Sequence, residues 1–286
     1  MRKTPLKTPR KREDSGDVPG PAFERIRRIL KTFTGFHLQC YKDSCIKRRL
    51  AARIRAVGCA TAEDYADLLM RDKAEPDALI KTLTIHVSKF FRNPSTFDKL
   101  RVEVLPSLFS LCIAEGRGSL NIWSVGCAGG EEPYTLALVL RDSFAREMSR
   151  VGVSITASDI DPAVLHFAGR AIFEPESLED APPAYRERFF TLREGKYHLA
   201  PEIRDMVDFQ RDDLLRPAAR AECDLILCRN VLIYFDRSHQ ETILNGFADA
   251  LRRGGMLVLG KSETLLASSR GMFRAVCPVE RIYRKL

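Results

Sequence analysis

Residues Trp123 to Leu138 read WSVGCAGGEEPYTLAL and put Gly126, Gly129, Gly130, Glu131 and Glu132 within one short turn. The apolar run before the glycines has the character of a strand. The residues after them form a helix, with Pro133 suited to its first turn. A strand, a glycine turn and a helix in succession make a nucleotide-type site at the C-terminal end of a sheet strand. The spacing is not GxxxxGKS/T, which excludes a P-loop, and it is not GxGxxG, which weakens a dinucleotide reading. The two glutamates favour the dipole of their own helix but would repel a pyrophosphate held at its start. The ligand at this turn should therefore be uncharged or cationic.

S-adenosylmethionine meets that demand, because it has no phosphate and carries an ammonium and a sulfonium beside an adenosine. An acid at the end of the next strand would hold its ribose hydroxyls. The segment ASDID supplies Asp159 or Asp161 at that place. Asp161 also stands where it would cap a helix beginning at Pro162, so Asp159 is preferred for the ribose.

The elements that must position these residues follow from patterning. LNIWSVGC and VSITASDI read as strands, EEPYTLALVLRDSFAREM and PAVLHFAGRAIF as helices, and CDLILCRNVLIYF as containing a buried strand. DRSHQETILNGFADALRRGG reads as an amphipathic helix ended by glycines, MLVLGKSE as a strand and FRAVCPVERIYRKL as a final hairpin. Such alternation predicts a parallel α/β sheet. RFFTL and KYHLA flank a turn at Glu194-Gly195 and break the rhythm, which predicts a small antiparallel insertion over about 174–205.

The front of the chain differs. Residues 1–21 are rich in Pro, Gly, Ser and basic residues and are expected to be a disordered tail. Residues 22–92 read as helices. FERIRRILKTF sets Phe23, Ile26, Ile29, Leu30 and Phe33 on one face. Ile46, Leu50 and Ile54 form a second apolar face opposite Lys47, Arg48, Arg49, Arg53 and Arg55, with Gly58 placed to end that helix. Thr61 is a candidate N-cap for a third helix, and PDALIKTLTIHV reads as a fourth. Residues 93–118 are expected to form a linker helix, and residues 119–286 the α/β domain.

Composition bounds the function. The 286 residues are 45% hydrophobic and contain no apolar run long enough to span a membrane. The N-terminus lacks the apolar region of a secretory signal. Eight cysteines without a CxxC pair argue against zinc or redox chemistry, so no metal site is expected, and a reducing cytoplasm is the simplest home. The net charge of +8 is uneven: 21 Lys and Arg stand against 11 Asp and Glu up to Arg92, and 25 against 27 beyond it. The front part is therefore expected to meet something acidic.

FFRNPSTF, WSVGCAGGEEPY, ASDID, CRNVLIYFD and LGKSETL, in this order and spacing, resemble the chemotaxis receptor methyltransferases of the CheR family. The resemblance runs from about Phe23 to the C-terminus. It implies an α/β, Rossmann-like class I methyltransferase domain with a small antiparallel β-subdomain insertion, preceded by an all-α N-terminal domain. It implies methyl transfer from S-adenosylmethionine, released as S-adenosylhomocysteine, to glutamates on the cytoplasmic helices of chemoreceptors. By the same resemblance, His86, Ser88, Arg92, Gly126, Glu132, Asp159, Asp213, Leu214, Cys228 and Arg229 would bind the cofactor, and Arg92 and Tyr234 would face the methyl site. The chain departs from the family at His86 and Asp213, where asparagine is common. An aspartate still supplies the acceptor that an adenine amino group requires. By their surroundings alone Phe90, Phe91 and Tyr134 read as packing, and so does Tyr234. Asn230 reads equally as a brace for its loop or a cofactor contact, and Lys261 to Glu263 are given no role.

A glutamate nucleophile has a pKa of about 4.3, so it is ionised at neutral pH and needs no general base. Arg92 and Tyr234 would then act by orientation rather than by charge, since charge is already partly neutralised in the transition state. The cationic helix face would dock acidic receptor helices, with no nucleic-acid partner, no membrane insertion and a monomeric protein expected. Two rival readings are a methyltransferase of RNA or a small molecule, suggested by a pI near 9.1, and an inactive adaptor that only binds the cofactor. The first should show aromatic platforms beside the cations, and the chain has one Trp, which sits in the first strand. Charge reversal at Arg48, Arg49 and Arg53 is expected to raise the KM for receptor and leave cofactor affinity unchanged.

Overall fold

The structure, a computed structural model, describes residues 18–36, 38–84, 88–215 and 222–286, so most of the expected tail lies outside the described residues. The chain divides into two compact units, one ending at Leu83 and the other spanning Thr84–Leu286.

The first unit holds α1 (Gly20–Thr34), α2 (Asp43–Ala56), α3 (Ala62–Arg71) and α4 (Glu75–Leu83). Phe23, Ile26, Leu30, Ile46, Leu50, Ile54, Tyr65, Leu69 and Leu79 are buried, as the 3.6-residue spacing predicts. Phe33 departs from that pattern and is 59% exposed, because α1 ends one residue later and Gly35 turns the chain in the left-handed region. Thr61 caps α3 in a reciprocal box: Asp64 donates its backbone N–H to Thr61 Oγ1 at 3.1 Å, and Thr61 donates its own to Asp64 Oδ2 at 3.0 Å. Gly58 lies beyond the end of α2 with φ +73°.

The cationic face of α2 is not uniform. Arg53 Nε and Nη2 donate to the two oxygens of buried Glu75 at 2.8 and 2.6 Å, and Tyr65 Oη donates to Glu75 Oε1 at 2.6 Å. Arg49 donates to the Leu83 carbonyl. Arg53 is thus half-buried and committed to a buried carboxylate, and charge reversal there would break that pair rather than test docking. Arg48 and Arg55 are exposed.

In the second unit α5 (Pro94–Lys99) continues through a π-helical turn at Leu100–Val104 into α6 (Leu105–Ala114). Then follow β1 (Ser119–Val125), α7 (Glu131–Ser143), the short α8 (Ala145–Met148), β2 (Gly152–Asp159), α9 (Pro162–Arg170) and β3 (Ile172–Phe173). After these come α10 (Pro183–Phe189), β4 (Phe190–Arg193), β5 (Lys196–Leu199), α11 (Pro201–Arg204) and β6 (Val207–Arg211). The unit closes with β7 (Cys223–Cys228), α12 (Arg237–Ala250), β8 (Leu251–Leu259), β9 (Phe273–Cys277) and β10 (Ile282–Lys285).

Among the described residues these strands form a seven-stranded sheet, ordered β6-β2-β1-β7-β8-β10-β9, and a three-stranded one, ordered β3-β5-β4. The first five strands of the large sheet run parallel and the final hairpin antiparallel. The insertion sheet is antiparallel, with its turn at Glu194-Gly195 (φ +50° and +77°), and starts at Ile172, slightly before the expected 174. β6 was not anticipated as part of the main sheet. The helix before β8 stops at Ala250, so the arginines and glycines expected to end it belong to the strand.

Burial alone would push the Glu75 carboxyl up, but hydrogen bonds from Arg53 and Tyr65 and the Arg53 charge outweigh it and hold it below the usual range. A carboxyl depressed in the folded state contributes stability above its ordinary pKa, near 4.5, and loses it as the pH falls through the depressed value. Glu75→Ala is expected to lower unfolding stability by about 3 kcal/mol at neutral pH, with the deficit shrinking in acid. Chemical denaturation followed by helical circular dichroism checks this, and an unchanged midpoint would contradict it.

Candidate active site

Strand register brings the sequence-predicted residues to one edge. Val125 lies opposite Ser158 and Cys228, Cys228 opposite Leu259, and Asp159 opposite Arg211. The residues that follow or close these strands, namely Gly126, Asp159, Asp213, Arg229 and Gly260, therefore share the C-terminal rim of the sheet. Chain order reverses between β1 and β7, and open α/β sheets bind ligands at such a reversal.

Gly126 turns the chain at φ +63°, and a Cβ there would lie 2.5 Å from Val231 Cγ2. The absent side chain lets the loop after β7 pack onto the turn after β1. Ala128 follows at φ +49° and Gly130 at φ +91°, delivering the chain into α7. Asp159 braces this turn: its Oδ2 accepts the Ala128 N–H at 3.1 Å and its Oδ1 the Asp161 N–H at 3.1 Å. Asp161 accepts the Ala163 N–H at 2.8 Å and caps α9, the role its position suggested.

Glu132 and Arg229 form the centre of the rim. Glu132 Oε1 accepts from Ser124 Oγ at 2.9 Å and Oε2 from Arg229 Nη1 at 3.2 Å. Arg229 Nη2 donates to the Arg92 carbonyl at 2.6 Å and to Asn93 Oδ1 at 2.9 Å, and the guanidinium lies over the Phe97 ring. The Arg229 side chain is 2% exposed. This one residue ties the end of β7, the start of α7 and the turn before α5 together. That turn is held in an unusual backbone form, with Phe91 at φ +55° and Asn93 at φ +61°. Phe91 N–H donates to Thr135 Oγ1 at 3.0 Å, and Phe90 and Phe91 are buried among Phe97, Phe173, Tyr185 and Phe190. Arg92 is thereby presented half-buried beside the rim.

Burial pushes the Glu132 carboxyl up, against the charge of Arg229 and the hydrogen bonds of Ser124 and Arg229. Burial likewise raises the thiols of Cys127 and Cys228, which makes them unreactive small apolar groups. Asp213 lies just past β6, where its Oδ1 accepts the Leu215 N–H at 3.0 Å, and Leu214 is half-buried beside it. Ser88 is half-buried before Phe90. Tyr134 is packing, its hydroxyl donating to the Ala168 carbonyl at 3.0 Å. Tyr234 sits half-buried in a single 3-10 turn, Leu232–Tyr234, directly after the rim. His86 lies outside the described residues.

Sequence reasoning left Glu263 without a role. It is buried, and its carboxylate accepts the backbone N–H groups of Gly260 at 2.6 Å, Asn230 at 2.9 Å and Ile233 at 3.3 Å. Only the LGKSE position at a strand end could have hinted at this. The rim as a whole is acidic: Glu131, Glu132, Asp159 and Glu263 are buried in it, with Arg229 as the buried cation among the described residues. Such a donor set suits an uncharged or positively charged nucleoside and opposes a phosphate.

Family models described as "CheR methyltransferase, all-alpha domain" and "CheR methyltransferase, SAM binding domain" match residues 21–84 and 86–280. A chemotaxis protein methyltransferase of Listeria innocua serovar 6a is 36% identical over 239 residues, covering 84% of this chain and 88% of that protein. An uncharacterized 104.1 kDa protein in the hypE 3'region of Rhodobacter capsulatus is 36% identical over 251 residues; the match takes in 88% of this chain and 26% of that longer protein. In space, a TehB-like SAM-dependent methyltransferase from Corynebacterium glutamicum superposes with a TM-score of 0.36 at 14% identity, over 63% of this chain and 88% of that one, a partial likeness.

The contact between Gly126 and Val231 gives a direct test. Gly126→Ala is expected to lower the melting temperature by several degrees, and Val231→Ala added to it should recover part of the loss, since the clash goes while the backbone strain remains. Full tolerance of Gly126→Ala alone would contradict the packing described.

Proposed function

The chain belongs to the CheR methyltransferase family, and we propose that it methylates glutamate side chains on the cytoplasmic helices of chemoreceptors. The observation that carries the reading is the acid-lined glycine turn at the switch point of the sheet, to which the turn bearing Arg92 is tied through Arg229 and the loop bearing Tyr234 through Val231. S-adenosylmethionine, the ligand named by the domain that matches residues 86–280, brings the electrophilic methyl group on a sulfonium when bound.

The residues present fit such a ligand. Asp159 is buried at the end of β2, and its carboxylate offers acceptors of the kind a ribose hydroxyl needs. Asp213 offers acceptors for an adenine amino group. With Glu132 paired to Arg229, the remaining buried acids of the rim, Glu131, Asp159 and Glu263, favour the cation over a pyrophosphate. The carboxylate of the substrate is ionised at neutral pH, its pKa being about 4.3, so no residue of the chain has to remove a proton. What the chain supplies is orientation: Arg92 and Tyr234 would hold one carboxylate oxygen in line with the methyl group. Positioning of this kind can contribute roughly 7–11 kcal/mol in well-aligned cases.

The exposed arginines of α2, Arg48 and Arg55, would steer and dock acidic receptor helices. Among the described residues no helix is long and apolar enough to cross a membrane, and the enzyme is proposed to meet the receptor from the cytoplasm as a monomer.

Incubation with labelled methyl donor and chemoreceptor cytoplasmic fragments is expected to give a product that releases volatile methanol in mild base, the behaviour of a carboxyl methyl ester. Label that resists base would contradict a carboxylate product. Arg48→Glu combined with Arg55→Glu should raise the KM for the fragment by about tenfold while leaving kcat within about twofold. Equal KM values would remove the docking role from α2.

A further inference from the structure

We infer that Glu263 and Gln240 are positioning residues for the proposed transfer: together they fix the backbone of residues 230–235 and, through it, Tyr234. This rests on the reading of the site given above. The segment is short, and the 3-10 turn Leu232–Tyr234 is its only helical element among the described residues. Its own backbone bonds run from Tyr234 N–H to the Val231 carbonyl at 3.2 Å and from Phe235 N–H to the Leu232 carbonyl at 3.1 Å. It begins with Asn230 at φ +62°, in the left-handed region, which asparagine adopts more readily than other non-glycine residues and which its neighbours here hold in place.

Two side chains from separate elements impose it. Glu263, in the loop after β8, accepts the N–H groups of Asn230 and Ile233 with one oxygen each, and anchors itself on the Gly260 N–H. Gln240, in the first turns of α12, donates its Nε2 to the carbonyls of Leu232 at 2.8 Å and Phe235 at 3.0 Å. The carboxylate thus takes donors and the amide serves acceptors, so backbone groups on both sides of Tyr234 are tied down. Gly260 allows the approach: a Cβ there would stand 2.8 Å from Asn230 N and 2.7 Å from Glu263 Oε2. On the remaining side Val231 presses on Gly126. A carboxylate is required at position 263 because it offers acceptors alone, whereas an amide would turn a donor pair toward one of the backbone N–H groups.

Both side chains are engaged with backbone groups of the protein, so the clamp should act on rate rather than on binding. The test is steady-state methylation of chemoreceptor cytoplasmic fragments by the full chain, with calorimetric titration of S-adenosylhomocysteine alongside. Glu263→Gln is expected to lower kcat by about tenfold or more, with both KM values and the S-adenosylhomocysteine affinity within about twofold of wild type. In a Tyr234→Phe background the same substitution should cost less than about twofold further, because its effect passes through Tyr234. Gln240→Leu should show the same pattern more weakly, and it carries the test if Glu263→Gln does not fold. Wild-type kcat in both variants, or an equal loss with and without the Tyr234 hydroxyl, would overturn the inference. A wild-type chain that transfers no methyl group would instead overturn the reading of the site on which it rests.

Discussion

A buried ion pair, Glu132 with Arg229, is the interaction on which the rim depends. Neither charge is exposed, and each is compensated by the other together with neutral hydrogen-bond partners: Ser124 for the carboxylate, the Arg92 carbonyl and Asn93 for the guanidinium. Removing one member of such a pair strands the other in a low-dielectric setting, at a cost of about 3–5 kcal/mol. The pair also carries geometry. Arg229 is the point where three chain segments distant in sequence are held in register, among them the turn that presents Arg92. Two residues expected to touch the cofactor thus also build the site that would receive it.

That constraint fixes the chemical character of the rim. Acids outnumber cations there, and the one buried arginine is committed to a glutamate. A ligand arriving with positive charge meets a favourable potential, while a phosphate meets carboxylates and a helix start already furnished with acid. The same economy extends to the reaction proposed. An ionised carboxylate needs no base. What remains for the protein is placement, and the left-handed backbone at Phe91 and Ala128 shows where conformational ease is given up to placement.

The sequence made much of this legible because the relevant signals are local. Apolar runs of strand length, glycines at turns and Pro at helix starts located β1, β2, β7, α7 and α9, and Asp159, at the end of β2, fell on the rim by topology alone. Thr61 and Asp161 were readable as caps because a capping bond closes within three residues. The failures were non-local. β6 has exposed and partly buried residues at the edge of the sheet and lacks an apolar run, so MVDFQR, just past the expected insertion, does not read as a strand. Arg53 looked like one more cation on a solvated face because its partner, Glu75, arrives from another helix. Glu263 grips backbone N–H groups some thirty residues away, and no periodicity records such a bond.

The central claim is that the acid-lined turn after β1 houses a positively charged sulfur nucleoside and not a dinucleotide. Isothermal titration of the full chain with S-adenosylmethionine, S-adenosylhomocysteine and NAD tests it most directly. The account predicts saturable one-to-one binding of both adenosyl compounds, lost when Asp159 is replaced by alanine, and no heat of binding with NAD. Binding of NAD in preference, or no binding of either adenosyl compound to a folded chain, would contradict it.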